Sequence, residues 1–289
     1  MIGLIGGTGL GEALFGEAHA EEHRMDTPFG QPSSPVRVVS WHGVRVALIA
    51  RHGQGHIYNP SQVPYRANIY ALKALGCTHV IASGAVGSLR EHIHPRQLVI
   101  PDQIIDKTHR RIPTFFDAGL AVHVEMANPY CGNLRRTLLS LAPRVDTVVH
   151  ARGTYVCMEG PAFSTIAESN MHRFWGGDLI GMTAMPEAKL AREAEMCYAM
   201  IALPTDYDCW RPHSPGANKQ KLLEEIIGHL RAATANAVAL MKAAIEHFST
   251  SPPTTCECHD SLSLAIWSDG WAASRVSDRY GVLLRKYVS

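Results

Sequence analysis

Three oxygen-bearing side chains, Thr183, Asp206 and Asp208, stand where apolar runs come to an end. Leu179, Ile180 and Met182 read as a short strand reaching Thr183. A second apolar run closes at Leu203 and Pro204 and passes at once into Thr205, Asp206, Tyr207 and Asp208. In open α/β sheets ligands bind outside the carboxyl ends of strands, so a hydroxyl and two carboxylates placed there are candidates for holding a polar ligand. Two neighbouring carboxylates suit proton transfer, provided burial or their mutual repulsion keeps a proton on one of them. The alternative for the pair is a solvated turn or a helix cap. A guanidinium and an imidazole, Arg51 and His52, follow the run Val44 to Ala50. Arginine binds phosphate oxygens bidentately, although an exposed basic rim would look the same in sequence.

The elements that must position these groups follow from hydrophobic spacing. Ile2 to Ile5 is a short strand, followed directly by Gly6, Gly7, Thr8, Gly9 and Gly11, whose backbone N–H groups and hydroxyl could line an anion site. The spacing is neither the dinucleotide fingerprint nor a Walker loop, and a glycine turn needed only for its shape remains the plain alternative. Val36 to Ser40 and Val44 to Ala50 pair as a hairpin through His42 and Gly43. Pro64 to Leu75 is helical, His79 to Ala82 is a strand that breaks into the small-residue loop Ser83 to Ser88, and Leu98 to Ile105 is a strand interrupted by Pro101. Leu134 to Leu141 is a helix, and Val145 to His150 and Gly153 to Met158 are strands. Glu159 to Phe163 turns into a helix around Ala167 to Phe174. Pro186 and Glu187 open a helix whose buried face takes Leu190, Ala194, Cys197 and Ile201. Lys219 to His247 is a long amphipathic helix, and Ser251 to Thr255 a linker.

At 289 residues and 46% hydrophobic content, the chain has room for one large α/β domain or two small ones. Its net charge of +1 offers no global field for nucleic acid or an anionic membrane. No apolar run approaches a membrane span and no signal peptide precedes the first strand, so a cytoplasmic enzyme is expected. Seven cysteines, an odd number, fit a reduced compartment. Cys256, Cys258 and His259 form C-E-C-H, but a structural zinc wants four ligands and no second cluster with that spacing appears, so thiols without a metal are expected.

Taken in order, GGTGL, RHG, the small-residue loop before Ser88, EGPAFS, GMTAMPE and TDYDCW resemble the motifs of the trimeric purine nucleoside phosphorylase family, in its 5'-methylthioadenosine phosphorylase branch. The likeness spans about residues 2 to 247. It implies a twisted mixed β-sheet flanked by helices over residues 1–250, with residues 251–289 as a C-terminal extension carrying the CxC motif. It also implies phosphorolysis of an adenine nucleoside, with phosphate as co-substrate and no cofactor, in a homotrimer or hexamer. Carried over residue by residue, phosphate would meet Thr8, Arg51, His52, Gly84, Ala85 and Thr183. Phe163 would cover the purine face, Ser164, Asp206 and Asp208 would read its N7 and amino edge, and Met182 would lie against the ribose. Leu222 and Leu223 would flank the 5'-group, and His123 would reach a neighbouring subunit's site. An acceptor pair suits adenine, whereas 6-oxo members usually place asparagine and glutamate there.

The sequence departs from that pattern at two positions. Gly84 replaces a threonine, and Lys219 falls near a position that is apolar in relatives, which makes a broader adenosine or purine nucleoside phosphorylase, or a methylthioinosine phosphorylase, the alternative. In thermophilic relatives cysteines of this kind form disulfides, which points to Cys131 with Cys197 and Cys256 with Cys258. Two readings from other classes are weaker. A nicotinamide-dependent dehydrogenase lacks its ribose-binding acid, and a purine-binding module without catalysis would have no use for the catalytic side chains present.

Overall fold

β1 (Ile2–Gly6) is buried along its whole length and has parallel neighbours on both edges, as an apolar five-residue run covered on both faces requires. The structure, a computed structural model, describes residues 1–7, 10–15, 20–212, 218–267 and 279–287. After β1 come α1 (Leu10–Phe15), β2 (Glu21–His23), β3 (Val36–Trp41), β4 (Val44–Ala50), α2 (Tyr65–Ala74) and β5 (His79–Ser88). Then follow β6 (Leu98–Val99), β7 (Gln103–Lys107), α3 (Gly132–Ser140), β8 (Val149–His150), β9 (Thr154–Met158) and α4 (Ile166–Phe174). β10 (Leu179–Gly181), α5 (Ala184–Glu193), β11 (Cys197–Asp206), α6 (Lys219–Thr250) and α7 (Gly281–Leu284) complete the described elements.

The strands form one mixed sheet in the order β2-β3-β4-β1-β5-β10-β9-β7, with β11 pairing β5 and β6, and β6 pairing β8. Apolar clusters lie on its two faces: α2, α5 and α7 contribute to one, α1, α3 and α6 to the other. The mixed sheet flanked by helices is the expected fold class. The β3–β4 hairpin turns through His42 and Gly43, both at positive φ, as a tight two-residue turn needs. A capping box between Thr165 and Glu168 starts α4.

β5 is the branch point. One edge pairs with β11 over most of its length. The other pairs with β1 only as far as Ala82 and with β10 only from Gly87, so Ser83 to Val86 face outward from the sheet on that side. The small residues predicted as a loop after Ala82 therefore continue the strand to Ser88, because β11 supplies their hydrogen bonds.

Three other boundaries differ from the sequence reading. The run Leu98 to Ile105 divides at Pro101 into β6 and β7, which join different parts of the sheet, since proline cannot donate to a ladder. The run Val145 to His150 is a strand only at Val149–His150. Cys197 and Ile201 do not lie on a helix face: α5 stops at Glu193, Glu195 takes a positive φ, and β11 begins at Cys197. β11 is buried on both faces, so its apolar residues carry no alternation to mark them as a strand.

Beyond the linker the chain returns to the core: Leu262, Ala265, Tyr280, Leu283 and Leu284 pack with the α2 and α5 side chains. Among the described residues, no helix is long and apolar enough to cross a membrane.

Candidate active site

Where β5 lacks a neighbour, a cavity of about 580 Å³ opens. At one end Arg51, His52, Gly84, Ala85 and Thr183 come together; at the other stand Phe163, Ser164, Asp206 and Asp208, with Met182 also on the wall. Leu222 and Leu223 of α6 also line it. Thr8 lies outside the described residues. His123 does not line this chain's cavity; its N–H donates to the Ala265 carbonyl and its ring lies 4.8 Å from that of Trp267.

Arg51 follows β4 directly and is fully buried. Its Nε and Nη2 each donate to Glu187 at 2.8 Å, and Nη1 donates to the Ser83 carbonyl at 2.7 Å. Tyr198 Oη donates to the same Glu187 carboxylate at 2.8 Å. Burial disfavours the guanidinium charge, but the Glu187 carboxylate outweighs it and holds Arg51 as a cation. Three of the five guanidinium N–H groups are committed in these bonds, and one on each terminal nitrogen remains outside them.

His52 Nδ1 lies 2.9 Å from the Tyr58 carbonyl, and its ring stacks on His56 at 4.3 Å. Burial, assisted by the Arg51 charge, lowers its pKa to about 4 against the pull of the Tyr58 carbonyl. At neutral pH the ring is uncharged with Nδ1–H donating, so Nε2 offers a lone pair. With Arg51 neutralised by Glu187, the cavity here offers guanidinium N–H donors and the His52 lone pair as an acceptor.

Gly84 has a steric reason. A Cβ there would come within 3.0 Å of the Met200 methyl and 3.2 Å of the Thr183 hydroxyl, so a threonine would require Met200 to repack. Thr183 is held by its N–H donating to Tyr155 Oη at 3.3 Å, and Gly181 leaves the room for that phenol.

A register shift in the β11–β5 pairing between Pro204 and Asp206 re-aims the strand end. His229 on α6 anchors the shift through the Thr205 carbonyl at 2.9 Å. Asp206 Oδ1 accepts the Asp208 N–H at 2.8 Å, and Asp208 takes a positive φ. Asp208 Oδ2 is buried and accepts no hydrogen bond among the described residues. Such an acceptor calls for a donor. Phe163 is 85% exposed, open on one face to a flat ring or to another chain.

Several structural residues went unrecognised in the sequence. Glu187 carries only the local signal of a helix-start acid, and Arg111 carries none. Arg111 in fact is buried and donates to the carbonyls of Glu159 and Met182, both at 2.6 Å, which fixes the strand ends bearing the cavity wall. No local spacing links residues so far apart. Lys219 is exposed at the start of α6 and does not line the cavity, whereas Leu222, Leu223, Ile226 and Leu230 do, at helical spacing.

The Phosphorylase superfamily profile matches residues 1–246. The S-methyl-5'-thioadenosine phosphorylase of Synechocystis sp. is 45% identical over 293 residues, covering 99% of this chain and 87% of that protein. A methylthioadenosine phosphorylase from an antarctic soil metagenomic library superposes with a TM-score of 0.87 at 42% identity, covering 98% of both chains. The methylthioadenosine phosphorylase of Schistosoma mansoni in complex with tubercidin superposes with a TM-score of 0.80 at 32% identity, over 91% of this chain and 95% of that one.

Proposed function

The chain belongs to the phosphorylase superfamily, and from that membership we propose that it cleaves 5'-methylthioadenosine with phosphate, giving adenine and 5-methylthioribose 1-phosphate. The observation that carries this reading is one cavity lined by Arg51, His52 and Thr183, by Asp206 and Asp208, and by apolar side chains of α6.

In this reading phosphate sits on the remaining Arg51 N–H groups, the His52 lone pair, the Thr183 hydroxyl and the backbone at Gly84 and Ala85. Adenine rests on Phe163, with Ser164 at its edge and its amine donating to Asp208. As the bond from the ribose C1' to N9 breaks, its electron pair passes to the purine and C1' turns cationic, while a phosphate oxygen forms the new bond to C1'. N7 becomes basic and takes a proton or a hydrogen bond at Asp206. Met182 packs against the ribose, and the methylthio group meets Leu222 and Leu223. The reading needs phosphate as co-substrate and assigns no organic cofactor. His123, outside its own chain's cavity, fits a role in a neighbouring protomer's site within a homotrimer. The free thiols suit a reducing compartment such as the cytoplasm.

One observation favours a broader adenosine phosphorylase: Leu223 is 57% exposed, so the apolar wall is partly open to a 5'-hydroxyl. Phosphate-dependent base release from methylthioadenosine, adenosine, methylthioinosine and inosine decides between the readings. Methylthioadenosine is expected to be the best substrate. Preference for inosine would overturn the base assignment, and adenine binding without phosphate-dependent turnover would reduce the protein to a binding module.

A further inference from the structure

Away from the cavity, folding assembles what the spacing of C-E-C-H lacked. Cys131 caps α3, Cys197 begins β11, and Cys256 and Cys258 flank Glu257 after the linker. All four are buried, and their Sγ atoms lie within 4.8 Å of one another. The Cys131 and Cys256 sulfurs are 3.7 Å apart. Four thiolates around one zinc, each at about 2.3 Å, would stand about 3.8 Å apart in a tetrahedron, so the cluster needs contraction by at most about 1 Å.

The surroundings favour thiolates. The Leu134 N–H, at the start of α3, donates to Cys131 Sγ at 3.4 Å, and Asn133 Nδ2 donates to Cys256 Sγ at 3.4 Å. The Cys256 N–H points to His259 Nδ1 at 3.4 Å, which assigns the ring proton to Nε2, and Nε2 lies 3.5 Å from Cys197 Sγ. Two of the four sulfurs thus accept from N–H donors, the usual outer support of a metal thiolate, while Cys197 shares the His259 Nε2–H with the Thr78 carbonyl 3.3 Å away. Disulfides would consume the sulfurs in pairs, and mutual distances this short single out none of the three possible pairings. One ion satisfies all four at once.

We propose that Cys131, Cys197, Cys256 and Cys258 form a closed structural site for one zinc ion, which staples the C-terminal extension to α3 and β11. Binding exchanges four S–H bonds for four Zn–S bonds and releases up to four protons, leaving an anionic centre that the N–H donors and the α3 N-terminus offset. With all four positions taken by sulfur, no open position remains for catalysis.

The test uses the whole chain, produced under reducing conditions without chelator. Elemental analysis is expected to find one zinc per chain. After removal of the metal, one equivalent of zinc should restore the thermal midpoint, and cobalt(II) in its place should give the charge-transfer bands of a tetrahedral four-thiolate site. The double variant Cys256→Ser, Cys258→Ser should lose the metal; if it fails to fold, the titration of the unaltered chain still decides. A chain that takes up neither zinc nor cobalt, one whose mass shows a disulfide among these cysteines in the reduced preparation, or a cobalt spectrum with a histidine ligand overturns the proposal. None of these readouts depends on phosphorolysis, so failure here leaves the enzymatic reading standing.

Discussion

The Glu187 carboxylate grips the Arg51 guanidinium through two parallel bonds of 2.8 Å, with both side chains only 1% exposed. A buried pair of this kind contributes little net stability, yet breaking it strands a charge and typically costs about 3–5 kcal/mol. Its function is orientation: it leaves the outer N–H groups of Arg51 in one place. Glu187→Gln is therefore expected to raise the KM for phosphate about tenfold while changing the nucleoside KM much less, together with a lower thermal midpoint. Initial-rate kinetics with each substrate varied in turn checks this. A lower midpoint with an unchanged phosphate KM would make Glu187 purely structural.

Asp206 is placed by the register shift and by the absence of a side chain at Gly87. A Cβ there would fall 3.1 Å from Asp206 Oδ1 and 2.9 Å from the Ile180 Cγ2 methyl. Asp206→Ala is expected to lower kcat by about 10²–10⁴, the range for losing a general acid. Gly87→Ala should reproduce part of that loss by pushing the intact carboxylate aside. Single-turnover phosphorolysis separates the chemical step from release. Full activity in Asp206→Ala would remove this residue from the mechanism.

How much of this was readable beforehand follows from what each residue depends on. Asp206, Asp208 and Thr183 announced themselves because polar groups ended apolar runs, and Arg51 and His52 did so for the same reason. Individual helices and strands followed from periodicity, and the mixed sheet from the family resemblance that the ordered motifs carry. Glu187 could not be assigned, because its partner lies 136 residues away and a helix-start acid is an adequate local explanation. The continuation of β5 through Ser83–Ser88 was hidden because small residues promise a loop until a neighbouring strand is known to pair with them. Spacing alone hid the cysteine cluster likewise, since two of its four members come from distant elements, and only the family resemblance singled out all four.

Stability should depend on pH through groups of opposite sign. Burial lowers His52 and His79 to about 4, so their contribution is complete above the unfolded histidine value of about 6.5 and is lost as pH falls toward 4. Burial raises Glu193 to about 7 despite bonds from Thr114 and the Phe115 N–H, so its contribution is complete below about 4.5 and is lost as pH rises through 7. Between about pH 4.5 and 6.5 the histidines favour higher pH and Glu193 opposes them. Glu193→Gln is expected to steepen the rise of stability with pH across that window by about one proton. Denaturant unfolding at half-unit pH intervals measures the slope, and an unaltered slope would show that Glu193 is ionised in the folded chain.

The 5'-substituent tests the apolar wall. Leu222 and Leu223 line the cavity from α6, while Lys219, one turn earlier, is exposed and outside it. The hydrocarbon stem of a lysine lets its ammonium stay in water, so its charge carries no cost to a thioether bound one turn away. In the proposed reading the methylthio group would gain from Leu222 what a 5'-hydroxyl would not, on the order of 1–2 kcal/mol for a buried group of that size. Leu222→Asn is therefore expected to lower the ratio of kcat/KM for methylthioadenosine over adenosine about tenfold, chiefly by weakening methylthioadenosine. Lys219→Ala should leave the ratio unchanged. If Lys219→Ala shifts the ratio and Leu222→Asn does not, the 5'-group binds on the other side of the α6 start, and the wall assigned to it belongs to another part of the substrate.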